Sequence, residues 1–222
     1  MTYHYADAIE ALADQFGDDH VLTHDGAHRT WRQFDDRAAR LGQAFTDAGL
    51  QPGSKIGLLL YNCCEYYETF LAALKVRMVP FNVNYRYVGA ELSYLLDNAD
   101  CEALVYHRSM AGVVREVLPS LPLVKIAIEV DDDDGAGWER AQRYEALLAT
   151  SVPAPRIARR PDDYHLMYTG GTTGLPKGVI CHVEPWSTGL TAMCATNVLG
   201  LPAAPMSVEQ LVATAQALRA KG

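Results

Sequence analysis

The densest concentration of chemistry-bearing residues in this sequence is Tyr168-Thr169-Gly170-Gly171-Thr172-Thr173-Gly174-Leu175-Pro176-Lys177-Gly178-Val179. Four glycines, three threonines, a proline and a lysine fall within ten residues. Together they suit one kind of ligand, a chain of phosphates. Glycine adopts φ > 0 without strain and lets the backbone come close to a ligand. Consecutive main-chain N–H groups in such a loop form a concavity for anions. Threonine hydroxyls add donors, and Lys177 adds a mobile positive charge. A ligand-free hairpin turn needs one or two glycines and has no use for three threonines and a lysine. The Walker spacing is excluded, because Lys177 is followed by Gly178 rather than Ser or Thr, and Pro176 disfavours a helix start there. The candidate binding residues are therefore Thr169, Gly170, Gly171, Thr172, Thr173, Gly174 and Lys177. No catalytic residue and no metal ligand stands out.

Two strands must hold this loop. Tyr164–Met167 reads as the strand that enters it and Val179–Cys181 as the strand that leaves it. Upstream, a helix is expected over Asp7–Phe16, then a hairpin of His20–His24 and His28–Thr30 around Asp25-Gly26-Ala27. Thr30 and Gln33 form a capping box for a helix carrying Trp31, Phe34, Ala38, Leu41, Phe45 and Ala48 at helical spacing, ended by Gly49. Strands are expected at Lys55–Leu60, Met78–Val83, Ala103–Tyr106 and Val124–Val130. Helices are expected at Cys63–Val76, with Asn62 as cap, and at Gly89–Asn98, Met110–Leu118 and Trp138–Leu148. Ser151–Asp163, with three prolines, reads as a connector. A helix over Glu184–Cys194 and a last one capped by Ser207 complete the chain. Strands alternating with helices imply βαβ units, hence an α/β fold with a mainly parallel sheet. The expected organisation is an N-terminal α/β subdomain over 1–160 and the start of a second subdomain, carrying the loop, over 161–222.

Composition narrows the classes. In 222 residues, 49% are hydrophobic and 21% charged, so a disordered chain is excluded. No apolar run approaches the ~20 residues that span a bilayer. The net charge of −8 argues against general binding of nucleic acid or anionic membranes. Any polyanion must then be held by a local device such as the loop. Five cysteines without a Cys-x-x-Cys pair, and no secretory leader, point to a reducing cytoplasm. Asp131–Asp134 lacks calcium-loop spacing and reads as a solvated loop. The seven histidines show no zinc spacing on a clear helix.

The loop resembles the phosphate-binding signature of the adenylate-forming superfamily, which includes acyl-CoA synthetases, aryl-CoA ligases, peptide-synthetase adenylation domains and luciferases. Thr169, Gly171, Thr172, Thr173, Gly174, Pro176, Lys177 and Gly178 match that signature, and Gly170 stands where serine is usual. Upstream, Thr30-Trp31-Arg32-Gln33-Phe34, Gly49 to Ile56, Asn62 to Glu65, Leu71 to Lys75, Pro80 to Arg86 and Glu91 to Tyr94 are similar to the family's successive elements. The segments Val83 to Tyr87 and Tyr168 to Gly171 look most like those of bacterial fatty-acyl or steroid side-chain acyl-CoA synthetases.

The resemblance implies a two-step reaction with ATP, Mg2+ and coenzyme A. A carboxylate attacks the α-phosphorus of Mg-ATP to give an acyl-adenylate and pyrophosphate. The coenzyme A thiol then takes the acyl group and AMP leaves. The threonines, the loop N–H groups and Lys177 would hold the β- and γ-phosphates. Nothing in the sequence resembles the family's later motifs, including its C-terminal domain. The expectation is therefore an N-terminal portion that is inactive alone, with exposed apolar surface at Tyr164–Met167 and the last helix that favours self-association. Two alternatives stand beside it: a non-catalytic nucleotide- or partner-binding remnant of such an enzyme, and an unrelated phosphate-binding α/β protein. The upstream similarity argues against the second.

Overall fold

Local signals set most of the element ends. In the computed structural model, which describes residues 2–132, 135–169 and 175–221, helix α1 spans Tyr5–Phe16. Strands β1 (His20–His24) and β2 (Ala27–Thr30) pair antiparallel. Their link, Asp25-Gly26, has φ of 47° and 79°. Two successive left-handed residues match the strand twist, as a type I′ turn requires. Helix α2 (Trp31–Asp47) opens on the expected capping box. Thr30 N–H donates to Gln33 Oε1 (2.9 Å) and Gln33 N–H to Thr30 Oγ1 (3.3 Å). At its far end Gly49 turns left-handed (φ 83°), and Leu50 N–H reaches back to the Phe45 carbonyl.

The next elements are β3 (Lys55–Leu59), α3 (Cys64–Lys75), β4 (Val79–Asn82), α4 (Gly89–Asn98) and β5 (Cys101–His107). They are followed by α5 (Ala111–Val117), β6 (Ile126–Val130), β7 (Gln142–Arg143) and α6 (Tyr144–Thr150). Then come β8 (Tyr164–Thr169), β9 (Lys177–His182), α7 (Val183–Met193) and α8 (Val208–Arg219).

Two expectations are corrected. The cap of α3 is Cys63, whose Sγ accepts from Tyr66 N–H at 3.3 Å, and Asn62 lies one residue outside. The helix expected over Trp138–Leu148 begins only at Tyr144. Trp138 is claimed by tertiary structure instead: its N–H donates to buried Glu129, and its side chain packs against the core.

The chain divides into two compact units that cut across its order. One comprises residues 1–35, 158–164 and 181–222; the other comprises 36–157 and 165–180. In the first, α1 packs with α7 and α8. Arg159, 3% exposed, bonds Asp7 and both oxygens of Glu10 at 2.6–2.7 Å. That anchors the expected connector to α1. The apolar stripe of α8 (Val208, Leu211, Val212, Ala215 and Leu218) is half-buried, and no α8 residue is fully buried.

The second unit carries the sheet, in the order β7-β6-β5-β3-β4-β8-β9. Every recorded pair from β7 through β8 is parallel, as expected. Central strands are mostly apolar: Ile56, Leu58 and Leu59 on β3 and Ala103 to Tyr106 on β5 are fully buried. Strands covered on both faces need that composition. Leu92, Leu95 and Leu96 of α4 and Val114 of α5 close one cluster with Phe81, Leu104 and Tyr106. Gly42 of α2 lies so near α3 that a Cβ would meet the Ala72 carbonyl and Val76 at 3.1 Å.

Candidate functional site

The strand order fixes where ligands can sit. From β3 the chain passes to β4 on one side and then to β5 on the other. At such a reversal the connections diverge and leave a crevice beyond the carboxyl ends of the strands. Next to it, at the carboxyl ends of β3, β4 and β8, is a cleft of about 580 Å³, lined by Tyr61 and Asn62 after β3, Asn82 to Tyr85 at the end of β4, and Tyr168 of β8. Thr169, the last residue of β8, directly follows Tyr168 at this edge.

Thr169 and Lys177 stand at the two roots of the loop, one ending β8 and the other opening β9. The link between them is too short for a parallel crossover, so the strands form a hairpin. Both side chains are exposed, and Lys177 makes no ion pair among the described residues. The remaining candidates, Gly170, Gly171, Thr172, Thr173 and Gly174, lie outside the described residues.

Tyr168 holds the roots. Its N–H donates to Asn82 Oδ1 (3.0 Å), and its carbonyl accepts from Asn82 Nδ2 (3.3 Å). Its hydroxyl donates to Asn98 Oδ1 at 2.9 Å, and its ring tilts against Phe81 with centroids 5.8 Å apart. On the other root, a Cβ at Gly178 would lie 3.1–3.3 Å from the Tyr168 ring and hydroxyl. That is tighter than side chains normally pack, so glycine at 178 serves close approach as well as loop freedom. Burial pushes the Tyr168 phenol above its ordinary value, with Tyr94, Asp100 and Cys101 adding to the rise. The phenol therefore remains a neutral donor at neutral pH. Asn82 and Asn98 were not singled out by the sequence. Their only local signal is that each is a polar residue ending an apolar element.

The cleft itself is aromatic. Tyr61 N–H donates to His107 Nδ1 (3.1 Å), and their rings stack at 5.1 Å. As Nδ1 accepts, the neutral ring carries its proton on Nε2. Tyr85 lies 4.9 Å from Tyr61, and the Arg86 guanidinium sits 5.6 Å from the Tyr85 ring centre. Beyond β6, Asp131 pairs with Arg108 and Arg143, and Asp132 accepts from Ser109 N–H at 2.9 Å. These two residues of the acidic run are thus tethers rather than a merely solvated loop. Asp133 and Asp134 lie outside the described residues.

Among the described residues no cluster of three or more His, Cys, Asp or Glu could hold a metal ion. No described helix is long and apolar enough to cross a membrane. None of the five cysteines is joined in a disulfide. Burial pushes the Cys63 and Cys101 thiols up to about 12, which leaves them unreactive.

Comparison with known proteins adds to this geometry. The AMP-binding enzyme family matches residues 9–211. Among curated proteins, the chain is 40% identical over 190 residues to a 3-oxocholest-4-en-26-oate–CoA ligase of Rhodococcus rhodochrous, covering 84% of this chain and 34% of that protein. It is 37% identical to a medium-chain acyl-CoA ligase of Mycobacterium avium, covering 77% and 34%. The chain therefore spans about a third of the length of these relatives. Among solved structures, an anthranilate–CoA ligase in complex with anthranoyl-AMP superposes with a TM-score of 0.78 at 21% identity, covering 86% of this chain and 37% of that one. A benzoate–CoA ligase of Burkholderia xenovorans gives 0.74 at 21% identity, covering 90% and 38%. At these identities the structural likeness establishes the fold.

Proposed function

This chain belongs to the AMP-binding enzyme family, and we propose that it forms the N-terminal part of an AMP-forming acid–thiol ligase that joins a carboxylic acid to coenzyme A. The observation that carries the reading is the pair of loop roots. Thr169 and Lys177 are presented, exposed, beside a cleft at the carboxyl edge of a parallel sheet. Curated relatives named as steroid and medium-chain acyl-CoA ligases support a fatty-acyl or steroid side-chain acid as substrate.

In the first step a carboxylate oxygen bonds to the α-phosphorus of Mg-ATP while the bond to the β-phosphate oxygen breaks and pyrophosphate leaves. Nucleotidyl transfer depends on positioning and charge neutralisation. The Lys177 ammonium offsets the charge that builds on the departing pyrophosphate. The Thr169 hydroxyl donates to a phosphate oxygen, and Gly170, Gly171, Thr172, Thr173 and Gly174 supply further donors. In the second step the coenzyme A thiol gives up its proton, sulfur bonds to the acyl carbon and AMP departs. No residue of this chain is assigned to that step. Cysteines without disulfides fit a cytoplasmic setting.

The test is ATP–pyrophosphate exchange with a panel of fatty and steroid-chain acids in a ligase containing this chain. A charge-assisted hydrogen bond of about 1.5–3 kcal/mol corresponds to a loss of ~10–100-fold for Lys177→Ala. Unchanged exchange would remove the lysine from the mechanism. The 222-residue chain alone is expected to make no thioester, and ATP- and CoA-dependent thioester formation by it would overturn that expectation.

A further inference from the structure

We propose that Asn82 is a positioning residue for the phosphate-binding loop, acting through Tyr168; this rests on the reading that the loop holds a triphosphate. The β4–β8 ladder has one recorded register pair, Phe81 with Leu166, so regular pairing stops short of Tyr168. Beyond it the Asn82 side chain takes over. Its Oδ1 accepts from Tyr168 N–H at 3.0 Å, and its Nδ2 donates to the Tyr168 carbonyl at 3.3 Å. A carboxamide carries one acceptor and two donors on one plane, so it can copy a peptide group and continue the ladder where the backbone cannot. Aspartate would keep the acceptor and lose the donor. Leucine would lose both.

The clip reaches both loop roots through one residue. Tyr168 immediately precedes Thr169, and its ring lies against Gly178, the residue after Lys177. Asn98 fixes the far end of the same ring through the hydroxyl. Asn82 thus fixes the backbone of Tyr168, and Tyr168 sets where Thr169 and Lys177 can project. Asn82 need touch no phosphate for its loss to be felt there. Fixing a binding group before the ligand arrives saves the ordering cost on binding.

Two readouts on the full 222-residue chain test this. The first is amide hydrogen exchange, which needs no ligand. Asn82→Leu is expected to accelerate exchange at least tenfold at Tyr168, Thr169 and Lys177 to Val179, with β5 and β6 unchanged. Asn82→Asp, which keeps the acceptor, is expected to fall between Leu and the parent. The second is titration with magnesium and inorganic tripolyphosphate. Affinity is expected to drop about 5- to 20-fold for Leu, the equivalent of one or two neutral hydrogen bonds, and at least as much for Asp, whose carboxylate adds a negative charge beside a polyanion site. Unchanged exchange at Tyr168, or a uniform rise across the whole sheet, would overturn the proposal. So would local loosening without any loss of tripolyphosphate affinity. Failure of the parent chain to bind tripolyphosphate would instead overturn the phosphate reading, and the exchange pattern would still decide what Asn82 does. Should Asn82→Leu fail to fold, Asn82→Asp carries the exchange comparison, with Tyr168→Phe, which removes only the Asn98 bond and keeps the Asn82 clip, as the control expected to exchange more slowly at position 168 than Asn82→Asp.

Discussion

Two rims of the same sheet edge, the end of β6 and the end of β8, use charge in opposite ways. At the end of β6, Glu129 is 1% exposed and fully engaged. Its oxygens accept from Tyr106 Oη (3.1 Å), Trp138 N–H (3.0 Å), Arg108 Nε (3.0 Å) and Arg143 (3.3 Å). Asp131 pairs with the same two arginines. A buried charge persists only when partners replace its water, so this rim is a closed structural knot. At the end of β8, Thr169 and Lys177 are exposed, and the polar partners are spent one residue earlier, on Tyr168. Charge turned inward fixes a loop. Charge held outward on a fixed root is available to a ligand.

Mutation should separate the rims by which property fails. Glu129→Ala leaves Arg108 and Arg143 with only Asp131 to share and strips the Tyr106 hydroxyl and the Trp138 N–H of their acceptor. Removing one member of a buried ionic network costs about 3–5 kcal/mol, to be read as a lower midpoint in urea unfolding, and a loss below 1 kcal/mol would mean that the knot is ornamental. Lys177→Ala should do the reverse. Exchange falls as given above, while stability stays within about 0.5 kcal/mol, as for surface substitutions remote from special features. A large stability loss in Lys177→Ala would show that the lysine belongs to a knot of its own.

A pH titration sharpens the contrast on β8 itself. His165 is 3% exposed, and burial holds its imidazole below the ordinary 6.5, against a smaller opposing hydrogen bond to Leu166. Below pH 6.5 the unfolded chain therefore binds more protons than the folded one, and stability falls as pH falls. His165→Phe, beside Phe70, should flatten that acid limb. An unchanged limb would place its origin elsewhere, with His4, which burial also depresses, as the next suspect. The smallest effect is expected from Asp132→Ala, which removes two exposed bonds, from the Ser109 N–H and the Ser109 hydroxyl, together worth about 1 kcal/mol. A change in tripolyphosphate affinity in that variant would contradict the separation of the rims.

Sequence and structure agree best where the signal is short-range. The Thr30–Gln33 capping box, the Asp25-Gly26 turn and the Gly49 stop involve residues at most a few positions apart, and their chemistry is complete within that window. The alternation of strands and helices likewise implied a parallel sheet. The helix expected from Trp138 failed because a distant carboxylate captured the Trp138 N–H. The Asn62 cap gave way to Cys63, whose sulfur is a poorer acceptor but stands at the first non-helical residue.

That a glycine- and threonine-rich loop with one lysine joins two strands is legible from residue types alone, because their spacing acts over a dozen positions. What grips that loop emerges with the folded packing. Asn82 and Tyr168 lie 86 residues apart, and buried Glu68 takes its partners from Arg37, 31 positions before it, and Tyr144, 76 after. Such pairs meet because strand order and helix packing bring distant segments together, and a buried polar group must then take whichever partner its surroundings supply.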